Sequence, residues 1–314
     1  MGGIAISVII VNYNTGNLIL DCLHSVQERT SDVPYEIIVV DNASEDGSPE
    51  LIRSNFKNVI LIKNQSNIGF GAANNMGVDV ATGKYLLMLN PDTIFVNNAL
   101  KVMYDFMEKP ENRDIAVCGG MLLDGNGLPT VSSGDFPSLG KMILYSLPLT
   151  NKIFKLSEWK GLKKNCQSKY SIVDFVSGAD FFIRRSIFKE QGGFDEKYLA
   201  YYEDTDLCKR LSLKGYKSAI VEGARIIHLY GKSVKNPVKR KMIMYESSLR
   251  YLSKFYDDRF SLKFYCKVNE IKYRTYLALL KKRYSSEERD MLDRIIEISA
   301  SYRRDCHPVI RGFV

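Results

Sequence analysis

Acidic residues stand at three points where an apolar segment of the sequence ends or a new one begins. Asp41 follows EIIVV, Asp92 follows KYLLMLNP, and Glu203, Asp204 and Asp206 precede a leucine-rich segment. An ionised carboxylate such as Asp41 can accept the N–H of a nucleobase or a ribose hydroxyl, and the oxygens of Asp92 suit Mg²⁺ or Mn²⁺. Because neighbouring carboxylates raise one another's proton affinity, one member of the cluster can act as a general base on a hydroxyl. Each acid also has a structural interpretation, as a turn former or as a first-turn residue of a helix.

A histidine and a pair of glycines extend this set. His228 ends the apolar segment RIIH and is followed by Lys232, so that an imidazole ligand for a metal and an ammonium for a phosphate can converge. Gly69 and Gly71 lie in NIGFGAANN, with Asp92 about 20 residues beyond, as in a dinucleotide-binding fingerprint. That fingerprint belongs after the first strand, whereas these glycines follow the third strand-like segment. The alternative is that they let a helix pack closely on the sheet or on a nucleotide.

The elements that must hold these residues alternate along residues 4–120. Uninterrupted apolar segments such as SVIIVNY, EIIVVDN, VILIKN and KYLLMLN are separated by segments with helical periodicity. Strands without polar alternation are buried on both faces, which predicts an α/β fold with a mostly parallel central sheet flanked by helices. Ligands bind at the carboxyl ends of the strands in such folds. Asn12, Asn14, Asp41 and Asp92 are among the polar residues predicted at these ends.

The positive charge of the chain is concentrated near its C-terminus. The net charge is +8, and residues 232–314 carry 20 Lys and Arg against 10 Asp and Glu, whereas the remainder carries 24 against 26. The charge is therefore a property of the last quarter, and the preceding part is nearly neutral. We divide the chain into an α/β domain of residues 1–233 and a basic helical extension of residues 234–314.

The extension reads as two or three helices. Phe264, Val268 and Ile271 recur on one helical face, and Ser285 with Glu288 predicts a capping box at the start of the last helix. Ahead of it, KSAIVEGARIIHLYG reads as a short pair of strands. Residues 121–170 contain turn signals and weak periodicity, so we expect a long excursion that forms a lid or an acceptor-side loop.

Composition narrows the class of protein and its compartment. No apolar run approaches the ~20 residues that cross a bilayer. The apolar residues 4–11 follow no basic stretch and precede no small-residue cleavage site, so a signal peptide is not indicated. The six cysteines are widely spaced without a C-x-x-C pair, which argues against a disulfide scaffold or a structural zinc site. We therefore expect a globular protein in a reducing, cytoplasmic compartment.

Taken together, the motifs form a series that resembles a known family. In order along residues 4–233 they are SVIIVNYN, VVDNASEDGS, NIGFGAANNMG, LNPD, SGADFFIRR, FDEKYLAYYEDTDLCKRLSLKG and HLYGKS. The chain resembles the family-2 glycosyltransferases of the GT-A fold, in particular the rhamnosyltransferase-like branch that builds bacterial surface polysaccharides. Each motif is weak alone, and the series in this order is specific.

The resemblance implies roles for residues at the donor site. Asp41 would contact the nucleotide base, Asn67 and Gly69 would flank the nucleotide, and Asp92 would be the metal-binding acid of the family's D-x-D element. Because this element reads Asn90-Pro91-Asp92 here, its first carboxylate is absent, and His228 with water is expected to complete the metal site. The remaining donor-binding candidates are Asn12, Asn14, Asp180, Arg210, Lys232 and Ser233. Of these, Asp180 would lie by the donor sugar or acceptor, and the last three would pair with the diphosphate.

The resemblance also implies the chemistry. Asp204 is the expected catalytic base, with Glu203 and then Asp206 as alternatives, and Mg²⁺ or Mn²⁺ is the expected cofactor. Direct displacement by one base would invert the anomeric carbon. The expected reaction moves a sugar from dTDP-rhamnose or a UDP-hexose to a hydroxyl of a glycan or lipid-linked glycan. A nucleotidyltransferase or an NAD-dependent dehydrogenase is the alternative, although the first strand is followed by Asn12-Tyr13-Asn14-Thr15 and by no glycine-rich loop.

The basic extension suggests three partners besides donor and acceptor. Aromatic residues are interleaved there with Lys and Arg, a pattern most commonly produced by core packing with solvated lysines. A peripheral contact with anionic lipid at the inner face of the plasma membrane is the second interpretation, because the expected acceptor is lipid-linked. A homodimer interface is a further alternative, and nucleic acid is the least favoured partner.

Overall fold

The computed structural model describes residues 3–146, 169–229, 237–280 and 284–305, which form two compact units. Residues 3–136 and 169–229 build the first unit. Residues 137–146 and the helices after residue 236 build the second. The helices in chain order are α1 (Asn17–Arg29), α2 (Ser48–Asn55), α3 (Phe70–Val80), α4 (Ala99–Glu108), α5 (Leu139–Ser146), α6 (Arg185–Glu190), α7 (Glu203–Leu213), α8 (Pro237–Phe255), α9 (Arg259–Leu280) and α10 (Ser286–Arg304).

One half of the central sheet is parallel, as the buried apolar segments predict. It contains β1 (Ile6–Asn12), β2 (Tyr35–Asp41), β3 (Val59–Lys63) and β4 (Tyr85–Leu89), in the order β3-β2-β1-β4. In the register of β1 and β2, Asn12 lies opposite Asp41. All seven residues of β1 are buried, which is the expected result for a strand covered on both faces.

The other half of the sheet is mixed. It contains β5 (Thr93–Phe95), β6 (Ile115–Leu123), β8 (Tyr170–Val173), β10 (Asp180–Arg184) and β11 (Lys217–His228). The order continues from β4 as β10-β6-β11-β5, with β8 also paired to β11. β10 is antiparallel to both β4 and β6, and β6 with β11 is parallel. A separate two-stranded sheet joins β7 (Ser133–Gly134) to β9 (Phe175–Val176).

The predicted strand pair near residue 222 is a single strand, and that prediction is wrong. The turn-like Glu222-Gly223 is absorbed as a register shift between Val221 and Arg225, while β11 keeps its pairing with β6 on both sides of the shift. The continuous strand carries His228 at its end to a position opposite Thr93 of β5.

Helices cover both faces of the sheet with apolar side chains. Buried apolar residues form two clusters. Ile6, Val8 and Ile10 of β1 belong to the first, together with residues of α1 and α4, and Ile9 belongs to the second, together with residues of α3, α6 and α7. α3 approaches the sheet closely, because a Cβ atom added to Gly77 would lie 2.6 Å from Ile9 Cγ2. Gly77 therefore lets α3 pack closely on the sheet, which is the role considered above for Gly69 and Gly71.

The second unit consists of α5 and α8 to α10. The side-chain amide of Asn269 in α9 donates to Ser146 Oγ of α5 (3.1 Å), and both residues are buried. Part of the predicted 121–170 excursion thus packs with the C-terminal helices, and residues 147–168 lie outside the described residues. The capping box is confirmed, since Ser285 and Glu288 exchange side-chain to backbone hydrogen bonds. Among the described residues, every helix is too short or too polar to cross a bilayer.

Candidate active site

Asn12 and Asp41 form a fixed pair where β1 and β2 end. Asn12 Nδ2 donates to Asp41 Oδ1 (2.8 Å) and to Ser48 Oγ (2.8 Å), and Asp41 Oδ2 accepts the Ser44 N–H (3.2 Å). Both Asn12 and Asp41 are fully buried. These bonds orient the carboxylate against the loop that follows β2, and two hydrogen bonds leave part of its acceptor capacity for a further donor.

Asn14 lies at the exposed rim of the same loop. Its backbone is left-handed (φ +53°), its N–H donates to Ser44 Oγ (3.0 Å), and its Oδ1 accepts the Glu45 N–H (2.8 Å). Asn14 therefore ties the end of β1 to the loop after β2. A ligand held between the two strand ends would meet a loop that is already ordered.

A second amide network fixes the entry into α3. Asn42 Nδ2 donates to Asn67 Oδ1 (3.2 Å) and to Gly69 O (3.1 Å), and Asn67 Oδ1 also accepts the Gly69 N–H (3.0 Å). Gly69 has φ +93°, and a Cβ atom there would lie 2.8 Å from Leu199 O. Both the backbone angle and the close approach require glycine at this position.

Asp92 and His228 meet at the turn after β4. His228 Nε2 lies 3.3 Å from Asp92 Oδ1 and 3.3 Å from Asn90 Nδ2, and Asp92 is 2% exposed. Asp92 Oδ2 is buried and has no hydrogen-bond partner within the described parts of the chain. Below the turn, the Cys22 thiol lies 3.4 Å from Thr93 Oγ1, and burial raises the pKa of this thiol to about 12.

This pair fits a divalent cation only in part. A carboxylate oxygen without a partner and an imidazole nitrogen are suitable ligands, and Mg²⁺ and Mn²⁺ take most of their ligands from oxygen. No group of three His, Cys, Asp or Glu side chains able to hold a metal occurs in residues 3–146, 169–229, 237–280 and 284–305. The pair is therefore suited to a cation whose other ligands come from water and phosphate oxygens.

Two carboxyl groups with different surroundings open α7. Asp204 Oδ2 accepts the Gly178 N–H (2.7 Å), and Asp204 Oδ1 accepts the N–H and Oγ1–H of Thr205. Glu203 is 4% exposed, and its Oε2 has no hydrogen-bond partner among the residues the structure describes. Burial, with the neighbouring charge of Asp204, holds the pKa of Glu203 well above its usual range. Burial also raises the pKa of Asp204, although the hydrogen bonds from Gly178 and Thr205 oppose this rise.

The two residues before these acids have strained backbones. Tyr201 and Tyr202 have φ +65° and +72°, a region that large side chains rarely occupy. Such a residue costs on the order of 1–3 kcal/mol and is retained where the surrounding structure enforces it. The helix begins directly after Tyr202, whose carbonyl oxygen accepts the Asp206 N–H (2.7 Å). Glu203 and Asp204 therefore stand in the first turn of α7.

Asp206 and Arg210 are used inside the fold. Asp206 is fully buried, accepts a hydrogen bond from Tyr198 Oη–H (3.2 Å) and pairs with Arg210 Nε (2.7 Å). The other two Arg210 nitrogens donate to the carbonyls of Gln191 (2.6 Å) and Gly193 (2.7 Å). We therefore assign Arg210 a structural role in place of the predicted diphosphate contact, and Asp206 a supporting role in place of the alternative base.

Asp180 begins β10 and is fully buried. Its Oδ2 accepts the Gly120 N–H, whereas its Oδ1 has no hydrogen-bond partner in the described structure. Burial raises the pKa of Asp180 well above its usual range, only partly opposed by the Gly120 bond. Its predicted place beside donor or acceptor stays a prediction. The predicted diphosphate ligands Lys232 and Ser233 lie outside the described residues.

Backbone hydrogen bonds join the base candidate to the metal candidate. Asn90, in the turn that ends with Asp92, donates its N–H to Ala179 O (3.0 Å), and the preceding Gly178 donates to Asp204. On the opposite side, Phe70 N–H donates to Leu199 O (2.9 Å), which connects α3 to the segment before α7. The structure thus assembles the predicted residues of β4, α3 and α7 at one end of the sheet.

Several residues of this site were not identified from the sequence. Ser44 and Ser48 orient Asn12 and Asp41, and Gly178 places its N–H on the base candidate. Gly178 stands in the motif SGAD, but the sequence gives no indication that its N–H donates to Asp204. The serines carried no distinguishing signal, since Ser is common in any turn.

Comparison with known proteins gives a consistent set of relatives. Residues 7–192, more than half of the chain, match the family described as "Glycosyl transferase family 2". The N-acetylglucosaminyl-diphospho-decaprenol L-rhamnosyltransferase of Mycobacterium tuberculosis is 25% identical over 260 residues, covering 78% of this chain and 83% of the relative. Rhamnosyltransferase WbbL of Escherichia coli K12 is 29% identical over 231 residues, covering 70% and 82%.

A solved structure supports the fold. The crystal structure of GalNAc-T7 with UDP, GalNAc and Mn²⁺ superposes with a TM-score of 0.63 at 17% identity, over 94% of this chain and 55% of the other chain. This chain therefore spans about half of that protein. At this identity the likeness concerns the fold.

Proposed function

The chain belongs to glycosyl transferase family 2, and we propose that it is an inverting enzyme that transfers a sugar from a nucleotide-diphosphate donor to a hydroxyl of a glycan or lipid-linked glycan. Its first unit has the GT-A fold, and it is a glycosyltransferase. dTDP-rhamnose is the first donor to test, because two relatives are named rhamnosyltransferases, and a UDP-hexose is the second. The observation that carries the proposal is the link from Asp204 through Gly178 and Ala179 to the Asp92 turn.

Asp204 is the proposed base. An acceptor hydroxyl is a weak nucleophile until its proton is taken during bond formation. Of the acids at the start of α7, Glu203 and Asp206 are buried and Asp204 is partly exposed. Asp204 accepts three hydrogen bonds, and its Oδ2 is able to accept one more. A raised pKa brings a carboxylate closer to the proton affinity that suits a base near neutral pH.

Glu203 lies beside Asp204 in the first turn of α7 and affects the charge of the pair. Burial and the neighbouring charge of Asp204 raise the pKa of Glu203 well above its usual range, and we propose that Glu203 is the protonated member of the pair, so that one negative charge stands beside the acceptor. This avoids the repulsion of two adjacent carboxylates. The pair therefore divides into a neutral acid and a charged base.

The nucleoside diphosphate, which is the leaving group, would be held by residues at the ends of the strands. Asp92 and His228 would hold Mg²⁺ or Mn²⁺ together with the diphosphate, and the cation would neutralise the charge that develops on the leaving group. Asp41, oriented by Asn12, would accept a hydrogen bond from the nucleoside. Asn67 and Gly69 would flank the nucleotide at the start of α3.

We also propose a cytoplasmic location. Cys22, Cys118 and Cys208 are free and buried. Free thiols are typical of a reducing compartment.

A donor panel tests the proposal. Thermal unfolding is followed with nucleotide sugars alone and with Mg²⁺ or Mn²⁺, because a ligand at about 100 times its Kd stabilises the folded protein by about 2.7 kcal/mol. We expect stabilisation by dTDP-rhamnose or a UDP-hexose that increases with the cation. Product formed from that donor should have the inverted anomeric configuration by NMR. Absence of stabilisation by every nucleotide sugar would contradict the donor assignment, and retained configuration would contradict the single-base mechanism.

A further inference from the structure

Helix α9 presents an apolar stripe that no described part of the chain covers. Phe260 is 81% exposed, Phe264 48%, Ile271 53% and Leu279 77%. At 3.6 residues per turn these four side chains fall within an arc of about 100°. Isolated exposed apolar residues are ordinary, whereas four large apolar side chains exposed along one face of a helix indicate an interaction surface.

The opposite face of α9 explains why this stripe is not part of the core. Leu262, Tyr265, Cys266 and Asn269 are buried, and α9 packs through that face against α5 and α10. The helix therefore has two apolar faces, and the described part of the second unit covers one of them.

Charge identifies the partner. α9 carries five cations, Arg259, Lys263, Lys267, Lys272 and Arg274, and its one acid, Glu270, is buried. By helical geometry Lys263, Lys267 and Arg274 lie on one side of the stripe and Lys272 on the other. Apolar side chains flanked by cations are the pattern of a helix that lies in the interface of an anionic bilayer.

Glu270 does not cancel this charge on the exposed side. It lies 3.2 Å from Arg274 Nε, 3.3 Å from Arg303 Nη2 and 4.0 Å from Lys267 Nζ. Three cations thus surround one carboxylate. A second copy docking on the same stripe would bring the cations of two α9 helices together, which disfavours self-association.

We propose that the α9 stripe, defined as Phe260, Phe264, Ile271 and Leu279, docks the protein on a bilayer containing anionic lipid. The apolar side chains enter the headgroup region and the flanking lysines and arginines contact lipid phosphates. The inference does not depend on the transferase reaction, because docking requires neither donor nor acceptor.

Vesicle co-sedimentation of the full chain tests this proposal. Vesicles of phosphatidylcholine alone are compared with vesicles that also contain phosphatidylglycerol, at low and high salt. We expect binding to the anionic vesicles that salt reverses. Phe260→Ser combined with Phe264→Ser should weaken partitioning by at least about tenfold. Lys263→Glu should weaken it by at least about fivefold, since each cation near the surface favours binding.

Matched changes in the first unit serve as controls. Leu213→Ser removes an apolar side chain that is 69% exposed, and Lys57→Glu reverses an exposed lysine. Both should leave partitioning unchanged, and circular dichroism should show that all variants remain folded. No binding at low salt, or equal binding by the Phe260/Phe264 variant, would overturn the proposal. Dimerisation or DNA binding through the stripe without vesicle binding would overturn it as well.

Discussion

Replacing Asp204 by Asn tests the base assignment most directly. A positioned general base contributes about 10²- to 10⁴-fold to a rate, so the turnover of Asp204→Asn should fall by that factor. The donor contacts proposed at Asp41 and Asp92 are untouched, and the donor dissociation constant should change little. Single-turnover rates with saturating donor and acceptor separate the two quantities.

The same substitution also affects stability, and the structure sets the size of that effect. Asp204 accepts hydrogen bonds at both oxygens, from Gly178 and from Thr205. An asparagine can accept at only one of these positions and places its NH₂ group against an N–H at the other, a loss of about 1–3 kcal/mol. From a typical total of at least ~5 kcal/mol, about 2 kcal/mol would remain, and more than nine-tenths of the protein would stay folded. Unfolding therefore cannot account for a hundredfold loss.

Glu203→Gln is the matched control. Glu203 is expected to hold a proton, and Gln reproduces a neutral side chain of the same shape at a position whose Oε2 has no partner among the described residues. Its turnover should stay within about fivefold of the parent. Near-normal turnover in Asp204→Asn would remove Asp204 as the base. A large loss in Glu203→Gln alone would show that the two roles are reversed.

Three further changes test other parts of the site. Asp92→Ala should weaken cation-dependent donor binding by about tenfold or more, so an unchanged cation titration of the donor's thermal shift would contradict the metal assignment. The pKa of Asp180 is raised in the folded protein, so the free energy of unfolding of the parent falls as pH rises above the pKa of an unfolded aspartate. Asp180→Asn should therefore have a Tm at least about 2 °C above that of the parent near pH 8 and no such advantage in acid. A difference in Tm that does not depend on pH would contradict a protonated, buried Asp180. Gly69→Ala should lower the free energy of unfolding by about 1–3 kcal/mol more than Gly127→Ala does. Both glycines have positive φ, whereas a Cβ atom at Gly69 would also clash with Leu199. Equal losses in chemical denaturation would show that the clash is relieved.

The positions of polar residues at strand ends were predictable from the sequence, because a buried apolar strand is followed there by side chains able to bind a ligand. β1 and β4 are built almost entirely of apolar residues, so the polar residues where they end, Asn12 in β1 and Asp92 in the turn after β4, were expected at the carboxyl ends of the strands. The pairing of Asp92 with His228 required only that β11 return beside β5. Short-range pattern and the rule for strand ends were enough for these positions.

Other features depend on long-range partners that a pattern does not contain. In the sequence, Arg210 cannot be distinguished from an exposed cation. Its hydrogen bonds to Asp206 and to the carbonyls of Gln191 and Gly193 depend on how the loop before α7 folds. Phe264 and Ile271 were correctly placed on one face, but periodicity does not say which apolar face of α9 is covered. The neighbouring Tyr265 is buried and Phe264 is exposed because α5 and α10 pack on one side only.

The deep burial of the cysteines has a practical consequence for spectroscopy. Cysteine-directed reagents attack the thiolate, and burial raises the pKa of both Cys22 and Cys208 to about 12. Cys22, Cys118 and Cys208 are thus protected both sterically and by protonation. A fluorophore or spin label directed at a new surface cysteine would leave these three core thiols unmodified.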